Sequence, residues 1–310
     1  MISLRSPATT RGFTLIEAIM VIVITGILAG IVAVFITKPV QGYVDSARRA
    51  EMTDAADIAL RRLVREVRLA VPNSLRVDCA SAAGWFYLEF VPTKDGGRYR
   101  NQGDGSTSCG GSCLCTAGNA VNTTFDVLGV APGSSPSAVA NDFVVVDNDA
   151  SLNGDSSCST PSNVYCGGSR ARVRSTTPAA VGTAAMITTY TAFANSSLIC
   201  PYINNRYQIV DQTTKAVTYA CPTTAVGTLT RYWNYNGSSA APDNGFNAVQ
   251  PTPPTGGSFT PVVQNATCVI DYTQNVQQLN GLLYIKLTIA DSASGESVVA
   301  FRQIHVDNTP

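Results

Sequence analysis

The distribution of apolar and polar residues divides the chain into three parts. No residue is charged from Ala18 to Thr37, and about twenty apolar residues at roughly 1.5 Å each are long enough to cross the hydrocarbon core of a bilayer. From Met52 apolar residues recur at helical spacing. Beyond Pro72 they alternate with polar ones, which is typical of strands. The pattern therefore predicts an α+β protein in which a long N-terminal helix, first transmembrane and then amphipathic, packs on a β-rich globular head.

We predict one helix over residues 13–71, membrane-spanning over 13–37 and amphipathic over 38–71. Such a helix would be on the order of 90 Å long, so its second part should lie against the head, residues 72–310, while its first part protrudes. The apolar stripe predicted to face the head consists of Met52, Ala56, Leu60, Leu63 and Val67. The arginine-rich stretch 61–68 is interleaved with acidic residues, which favours a solvated helix face over a basic patch.

Two residues interrupt the helical pattern between its halves. Pro39 lacks an N–H donor and Gly42 weakens a helix interior, so a kink or local melting is predicted there. Pro72 is expected to end the helix.

Several segments have the composition of buried strands. Residues 85–91 and 143–146 are mostly aromatic or β-branched. A hairpin is predicted over 207–219, with its turn at 211–214, followed by a strand over 229–233. Residues 283–289 alternate regularly, and 298–306 should return beside them as the second strand of a terminal hairpin.

Two stretches are rich in small and polar residues, 93–120 and 236–260. Both are predicted to be long loops, and loops of that length are usually functional or mobile.

Glu17 is a carboxylate at the edge of the apolar run. An ionisable group at that depth is costly, and by default it marks a function that involves a partner. The alternative is a helix start, because Thr14-Leu15-Ile16-Glu17 also has the pattern of a capping box.

Residues 11–17 read Arg-Gly-Phe-Thr-Leu-Ile-Glu. They resemble the type IV prepilin signal, in which a short basic leader ends in Gly, Phe usually follows, and Glu stands fifth in the mature chain. Gly12, Phe13 and Glu17 match position for position. The resemblance implies that prepilin peptidase removes residues 1–12, that Phe13 becomes N-methylated, and that its amine pairs with Glu17 of a neighbouring subunit.

Other targeting signals fit this segment less well. A secretory signal has a shorter apolar core and ends in a small-x-small cleavage site. A plain signal anchor remains the alternative.

A second resemblance covers parts of the helix and the head. Residues 43–45, 63–68 and 71–77, with 207–233 and 305–310, are similar to the MshO group of minor pilins from MSHA biogenesis. PilW-type minor pilins and the minor pseudopilin J of type II secretion share the layout of helix, strands and late hairpin.

The nine cysteines all follow the apolar run. This placement predicts an oxidising compartment beyond the membrane and disulfides in the head. The predicted pairs are Cys200 with Cys221 and Cys158 with Cys166, and an odd count leaves at least one thiol unpaired or intermolecular. A zinc site at Cys109, Cys113 and Cys115 is not favoured, because there is no Cys-x-x-Cys pair and no nearby His.

One segment has the alternating oxygen ligands of a calcium loop. These are Asp147, Asp149, Asn153 and Asp155. The glycine falls two positions late for an EF-hand and Cys158 replaces the terminal Glu, so an Asx-rich turn is the simpler interpretation. We expect no cofactor.

The remaining composition argues against catalysis and nucleic-acid binding. The formal net charge is zero and only 14% of residues are charged, so nucleic acid is not expected as a partner. The single His, His305, and the lack of a Gly-rich phosphate loop leave little for an enzyme.

The two resemblances therefore imply a minor pilin that helps to assemble, prime or cap an MSHA-like type IV pilus. Its expected partners are other major and minor pilins, prepilin peptidase and the inner-membrane assembly platform. Its expected location is the bacterial inner membrane, single-pass with a periplasmic head, and then the fibre at the cell surface. The alternatives are a tip adhesin that binds a glycan, through the long loops or through Tyr232, Trp233 and Tyr235, and a minor pseudopilin.

Overall fold

The computed structural model describes residues 12–78, 84–100, 113–115, 121–148, 163–193, 205–235, 246, 256–275, 280–292 and 294–309. It contains one long helix followed by a β-rich head with a disulfide, which confirms the predicted α+β class. One compact unit ends at Glu51 and the second begins at Met52, so the division falls within the helix.

The helix, α1, runs from Leu15 to Val67 without interruption. The predicted local melting at Pro39 and Gly42 is therefore wrong. A proline in a helix removes one N–H donor and crowds the carbonyl four residues before it, and here the helical turns on either side outweigh that cost. The predicted kink stays a prediction.

The strands of the described residues fall into two assemblies. In chain order they are β1 Arg76–Asp78, β2 Trp85–Phe90, β3 Asp95–Tyr99, β4 Thr124–Leu128, β5 Phe143–Val145, β6 Arg170–Thr177, β7 Ala185–Thr189, β8 Arg206–Val210, β9 Val217–Pro222, β10 Gly227–Trp233, β11 Ser258–Asn275, β12 Asn280–Ala290 and β13 Ser297–Asp307.

A seven-stranded antiparallel sheet packs against α1 from Met52 onward. Its order is β1-β2-β9-β10-β11-β12-β13. The predicted apolar stripe lies in the shared core, where Ala56, Leu60, Leu63 and Val67 are buried and Met52 is partly buried. The predicted terminal hairpin is confirmed as β12 and β13, in which Leu283, Ile285 and Leu287 point into the same core.

The strands β3 to β8 close into a six-stranded barrel that is inserted in the chain between β2 and β9. The predicted hairpin over 207–219 is wrong, because β8 pairs with β3 and β5 of the barrel whereas β9 pairs with β2 and β10 of the sheet. The turn itself exists, since Thr213 N–H donates to the Asp211 carboxylate at 2.7 Å. It connects two assemblies instead of two paired strands.

Part of the stretch predicted as a loop over 93–120 is the barrel strand β3. Its glycines lie close against Tyr207 of β8: a Cβ added at Gly96 would lie 2.8 Å from the Tyr207 carbonyl oxygen, and one at Gly97 would lie 2.7 Å from the Tyr207 hydroxyl. A strand of low apolar content is possible here because the partner supplies the packing.

Asp142 joins the two connections between barrel and sheet. Its side chain is fully buried. It accepts hydrogen bonds from Lys94 Nζ at 2.9 Å, before β3, and from the Gln212 N–H at 3.1 Å, after β8. The hydrogen bond to Asp142 raises the pKa of Lys94. One carboxylate thus fixes the place where the chain leaves the sheet and the place where it returns.

A buried network of charged and hydrogen-bonding side chains lies in the sheet, on the sheet side of this junction. Arg76 Nε donates to Glu89 Oε1 at 3.0 Å, and Glu89 Oε2 accepts from Thr218 at 3.1 Å and from Tyr235 at 3.0 Å. The Arg76 guanidinium also lies 3.7 Å from the ring centre of Tyr165. Breaking a buried pair of this kind leaves an uncompensated charge, so the network favours one arrangement of the strands.

The described part of the head contains a disulfide between Cys221 on β9 and Cys268 on β11. The predicted pairing of Cys200 with Cys221 is therefore wrong. Both bonded cysteines are buried in the core beneath α1, near the place where the register of β10 against β11 shifts. Cys166 is also disulfide-bonded, but Cys158 lies outside the described residues and that pairing stays a prediction.

We expect the double variant Cys221→Ala, Cys268→Ala to lose about 4 kcal/mol of unfolding free energy, because the cross-link closes a long loop in the unfolded chain. The two cysteines are 47 residues apart. Urea unfolding of the full chain in a mild detergent, followed by circular dichroism, measures the loss. As a control, Thr267→Ser on the same strand should change the midpoint little. Peptide mapping that recovered Cys200 joined to Cys221 would contradict the assignment.

Candidate functional site

The three described residues before α1 are exposed and lie outside the helix. Gly12, Phe13 and Thr14 have no regular structure, and 69% of the Phe13 surface is accessible. A Cβ added at Gly12 would meet nothing within 4 Å. Exposed non-helical backbone is where proteolysis concentrates. The Gly12–Phe13 bond is therefore placed where a protease could reach it.

Thr14 caps α1. Its hydroxyl accepts a hydrogen bond from the Glu17 N–H at 3.4 Å, and its carbonyl accepts from the N–H groups of Glu17 and Ala18, both at 3.1 Å. The bond from the Glu17 N–H to the Thr14 hydroxyl is one of the two reciprocal hydrogen bonds of the predicted capping box. It uses the backbone of Glu17 and leaves the carboxylate available, so the cap and a partner for Glu17 are compatible.

The Glu17 side chain is exposed in the first turn of α1. A carboxylate at this position interacts favourably with the helix dipole. Among the described residues its carboxylate has no hydrogen-bond or ion-pair partner. Any counter-charge must therefore come from outside the described part of this chain.

The first part of α1 is apolar on all sides and uncovered. The helix is long and apolar enough to cross a membrane, and none of its most apolar stretch is buried. Exposed large side chains occur throughout, among them Ile22, Ile27, Ile31, Val34 and Phe35. A helix that is apolar all round requires lipid or other apolar helices as its surroundings.

The two hydroxyls of this stretch are satisfied within the helix. Thr37 donates to the Ala33 carbonyl at 2.9 Å, and Thr25 donates to the Val21 carbonyl. Such bonds back to the preceding turn let Thr lie in an apolar environment. Glu17 is therefore the group in this stretch that still needs a partner there.

The remaining predicted site residues do not gather around Glu17. Pro39 and Gly42 lie further along α1 and are exposed. Of the calcium set only Asp147 is within the described residues, so that prediction is untested. Cys113 and Cys115 are disulfide-bonded, which excludes them as zinc thiolates.

The predicted aromatic platform for a sugar is not formed. Tyr235 is 1% exposed, its hydroxyl is bonded to Glu89 and Thr218, and burial raises its pKa well above the ordinary value. Tyr232 packs against Phe259, with ring centres 5.9 Å apart, and the Trp233 ring lies 4.9 Å from the Arg231 guanidinium. The three side chains therefore do not present one stacking surface.

The predicted solvated face over 61–68 is confirmed, since Arg61, Arg65 and Arg68 are exposed. The sequence did not indicate that these side chains also line a groove beside β13. The helical spacing of the arginines was visible in the sequence, but their position next to a sheet edge was not.

A family model for the prokaryotic N-terminal methylation motif matches residues 8–33. Comparison with curated proteins and with solved structures gave no match. The apolar helix and the motif are consistent with a membrane-anchored, pilus-associated protein, and the motif favours a structural role over an enzymatic one. Residues 8–33 thus carry an N-terminal methylation motif of the type IV pilin-like kind, which supports a pilin or pseudopilin role for this chain.

Proposed function

We propose that the chain is a minor pilin that helps to assemble, prime or cap a type IV pilus. Prepilin peptidase cuts after Gly12 on the cytoplasmic side, and the new N-terminus, Phe13, is N-methylated. The chain is then held in the inner membrane by the first part of α1, with its head in the periplasm, until the assembly platform transfers it into the fibre.

The observation that carries the proposal is the Glu17 carboxylate, which has no partner among the described residues and lies at the start of an uncovered apolar helix. Removing a charge from water costs several kcal/mol unless a counter-charge meets it. Cleavage creates a positively charged amine at Phe13, four residues before Glu17. When apolar helices of neighbouring subunits bundle, the amine of one can pair with the carboxylate of the next, and this pair sets their register.

The size of the head supports a minor subunit over the repeating unit of the shaft. The head combines a seven-stranded sheet with an inserted six-stranded barrel. A bulky head of this kind suits a tip or priming subunit, because a shaft repeats one compact head many times. The residue resemblance to MSHA-biogenesis minor pilins of the MshO group makes an MSHA-like pilus the preferred system.

Deleting the gene tests the proposal against its alternatives. Under the minor-pilin assignment, surface fibres become scarce, and expression of the intact chain restores them. If fibres persist while attachment to glycan-coated surfaces fails, the chain is a tip adhesin. If fibres persist and secreted enzymes accumulate in the periplasm, it is a minor pseudopilin of type II secretion. Either of the last two results contradicts the proposal.

A further inference from the structure

The strand β13 forms one edge of the seven-stranded sheet. It pairs with β12 over eleven consecutive residues, from Asn280↔Asp307 to Ala290↔Ser297. In the described part of the chain no strand pairs with its other edge. Natural sheets usually protect an edge by keeping it short, bulged or covered. An edge of this length and regularity can accept a further strand.

A groove of about 490 Å³ runs between α1 with the turn that follows it and β13. Arg61, Arg65 and Arg68 line one side, and Arg302 and Gln303 of β13 line the other. The groove therefore combines basic side chains with a strand whose outer edge is free.

The charges of the groove are not balanced. Asp57 pairs with both Arg61, at 2.6 Å, and Arg302, at 2.8 Å. These contacts lower the pKa of Asp57, and the hydrogen bond from Arg61 contributes most to that shift. Among the described residues neither Arg65 nor Arg68 pairs with a carboxylate. In the described part of the chain the four arginines that line the groove are thus matched by one paired acid, Asp57, and the groove has a net positive charge.

The two faces of β13 differ in burial, and the two faces of an added strand would differ in the same way. Ile304 and Val306 are buried on the α1 side, where Arg302 also points, whereas Val299 and Phe301 are 53% and 60% exposed on the opposite face. In an added strand every second side chain would lie on the α1 side, about 6.8 Å apart. Arg61 and Arg65 are four residues apart on α1 and hence about 6 Å apart along its axis, which is close to this repeat, and Arg68 follows in the turn after the helix.

We propose that the free edge of β13 and the adjacent groove bind an extended acidic segment of another polypeptide as an eighth strand of the sheet. Carboxylates at alternate positions face Arg61, Arg65 and Arg68, where charge-assisted hydrogen bonds fix the segment. Apolar or β-branched residues at the intervening positions cover Val299 and Phe301. Main-chain hydrogen bonds to β13 supply sequence-independent affinity, as in other strand-addition complexes. This inference does not rest on the proposed pilus function.

The test uses the full chain in neutral detergent micelles and a fluorescent nonapeptide in which Glu alternates with Val or Thr. Fluorescence anisotropy should show salt-sensitive binding, and hydrogen exchange should show protection of β13 amides. The double variant Arg65→Gln, Arg68→Gln should weaken binding at least about tenfold, because two charge-assisted contacts are lost. The matched control, Arg174→Gln on the exposed face of the barrel strand β6, should leave binding unchanged.

Two further probes separate strand addition from simple charge attraction. A peptide with Gln in place of Glu, and a peptide with alternate backbone amides N-methylated, should both bind at least about tenfold more weakly. Equal binding of the N-methylated peptide, unchanged affinity of the double variant, or no binding of the acidic peptide would overturn the proposal. Arginine-dependent binding of anionic phospholipid vesicles without peptide binding would overturn it as well.

Discussion

A Gly12→Glu variant is expected to accumulate as an uncut precursor that still carries residues 1–12. In the proposed site the protease must accommodate residue 12 directly before the scissile bond, and a pocket that fits glycine excludes a larger side chain. We expect processing to fall at least about tenfold. The measurement is the mass of the chain isolated from membranes. The variant should fold normally, because a Cβ at Gly12 meets nothing within 4 Å.

Gly42→Ala is the matched control for this experiment. Gly42 also lies on the exposed surface of the N-terminal unit, and a Cβ added there likewise meets nothing within 4 Å. This variant should be cut at the wild-type rate. If Gly12→Glu were cut equally well, the segment would be a plain signal anchor and the prepilin assignment would be wrong.

A Glu17→Gln variant is expected to be cut normally but to enter fibres poorly. The substitution keeps the shape of the side chain and removes its charge, so the amine of a neighbouring Phe13 is left in an apolar bundle without a counter-charge. Leaving one member of a buried pair uncompensated costs about 3–5 kcal/mol, which corresponds to about a hundredfold or greater loss in the association constant. The amount of the chain in sheared fibres, relative to the amount in membranes, measures this loss.

Two further variants make the result specific. Glu51→Gln removes another exposed acid from α1, outside the apolar run, and should leave incorporation unchanged. Glu17→Asp keeps the charge on a shorter side chain and should restore part of the incorporation. Equal incorporation of Glu17→Gln and the wild-type chain would show that the carboxylate serves only the helix start, beside the Thr14 cap.

The parts of the fold that depend on local patterns were predictable from the sequence. The apolar face of α1 follows from helical spacing, and Leu60 and Leu63 are buried where that spacing places them. The terminal hairpin follows from clean alternation around a short turn. In both cases neighbours in the sequence are also neighbours in the structure, so periodicity carries the information.

The inserted barrel was not predictable in the same way. Alternation in residues 207–219 indicates strands and a turn, but it does not determine which strands pair. The β9 strand is buried along its whole length in the middle of the sheet, and its neighbours β2 and β10 come from both sides of the insertion in the chain. Pairing of this kind depends on contacts between residues that are far apart in the sequence.

The disulfide and the groove escaped prediction for the same reason. The side-by-side pairing of β9, β10 and β11 in one sheet brings Cys221 and Cys268 together. The spacing of the cysteines in the sequence suggested a nearer partner for Cys221. Arg65 on α1 and Arg68 in the turn after it are exposed arginines at helical spacing, and the sequence does not show that β13 lies beside them. The Glu17 site, by contrast, depends on a few consecutive residues and was visible in the sequence from the start.

The most direct test of the pilin assignment is the N-terminal residue of the wild-type chain recovered from fibres and from the inner membrane. Mass spectrometry of the N-terminal peptide should find a chain that begins at Phe13 with one methyl group on its amine. A chain that begins at Met1, or that is cut at any bond other than Gly12–Phe13, would contradict the account.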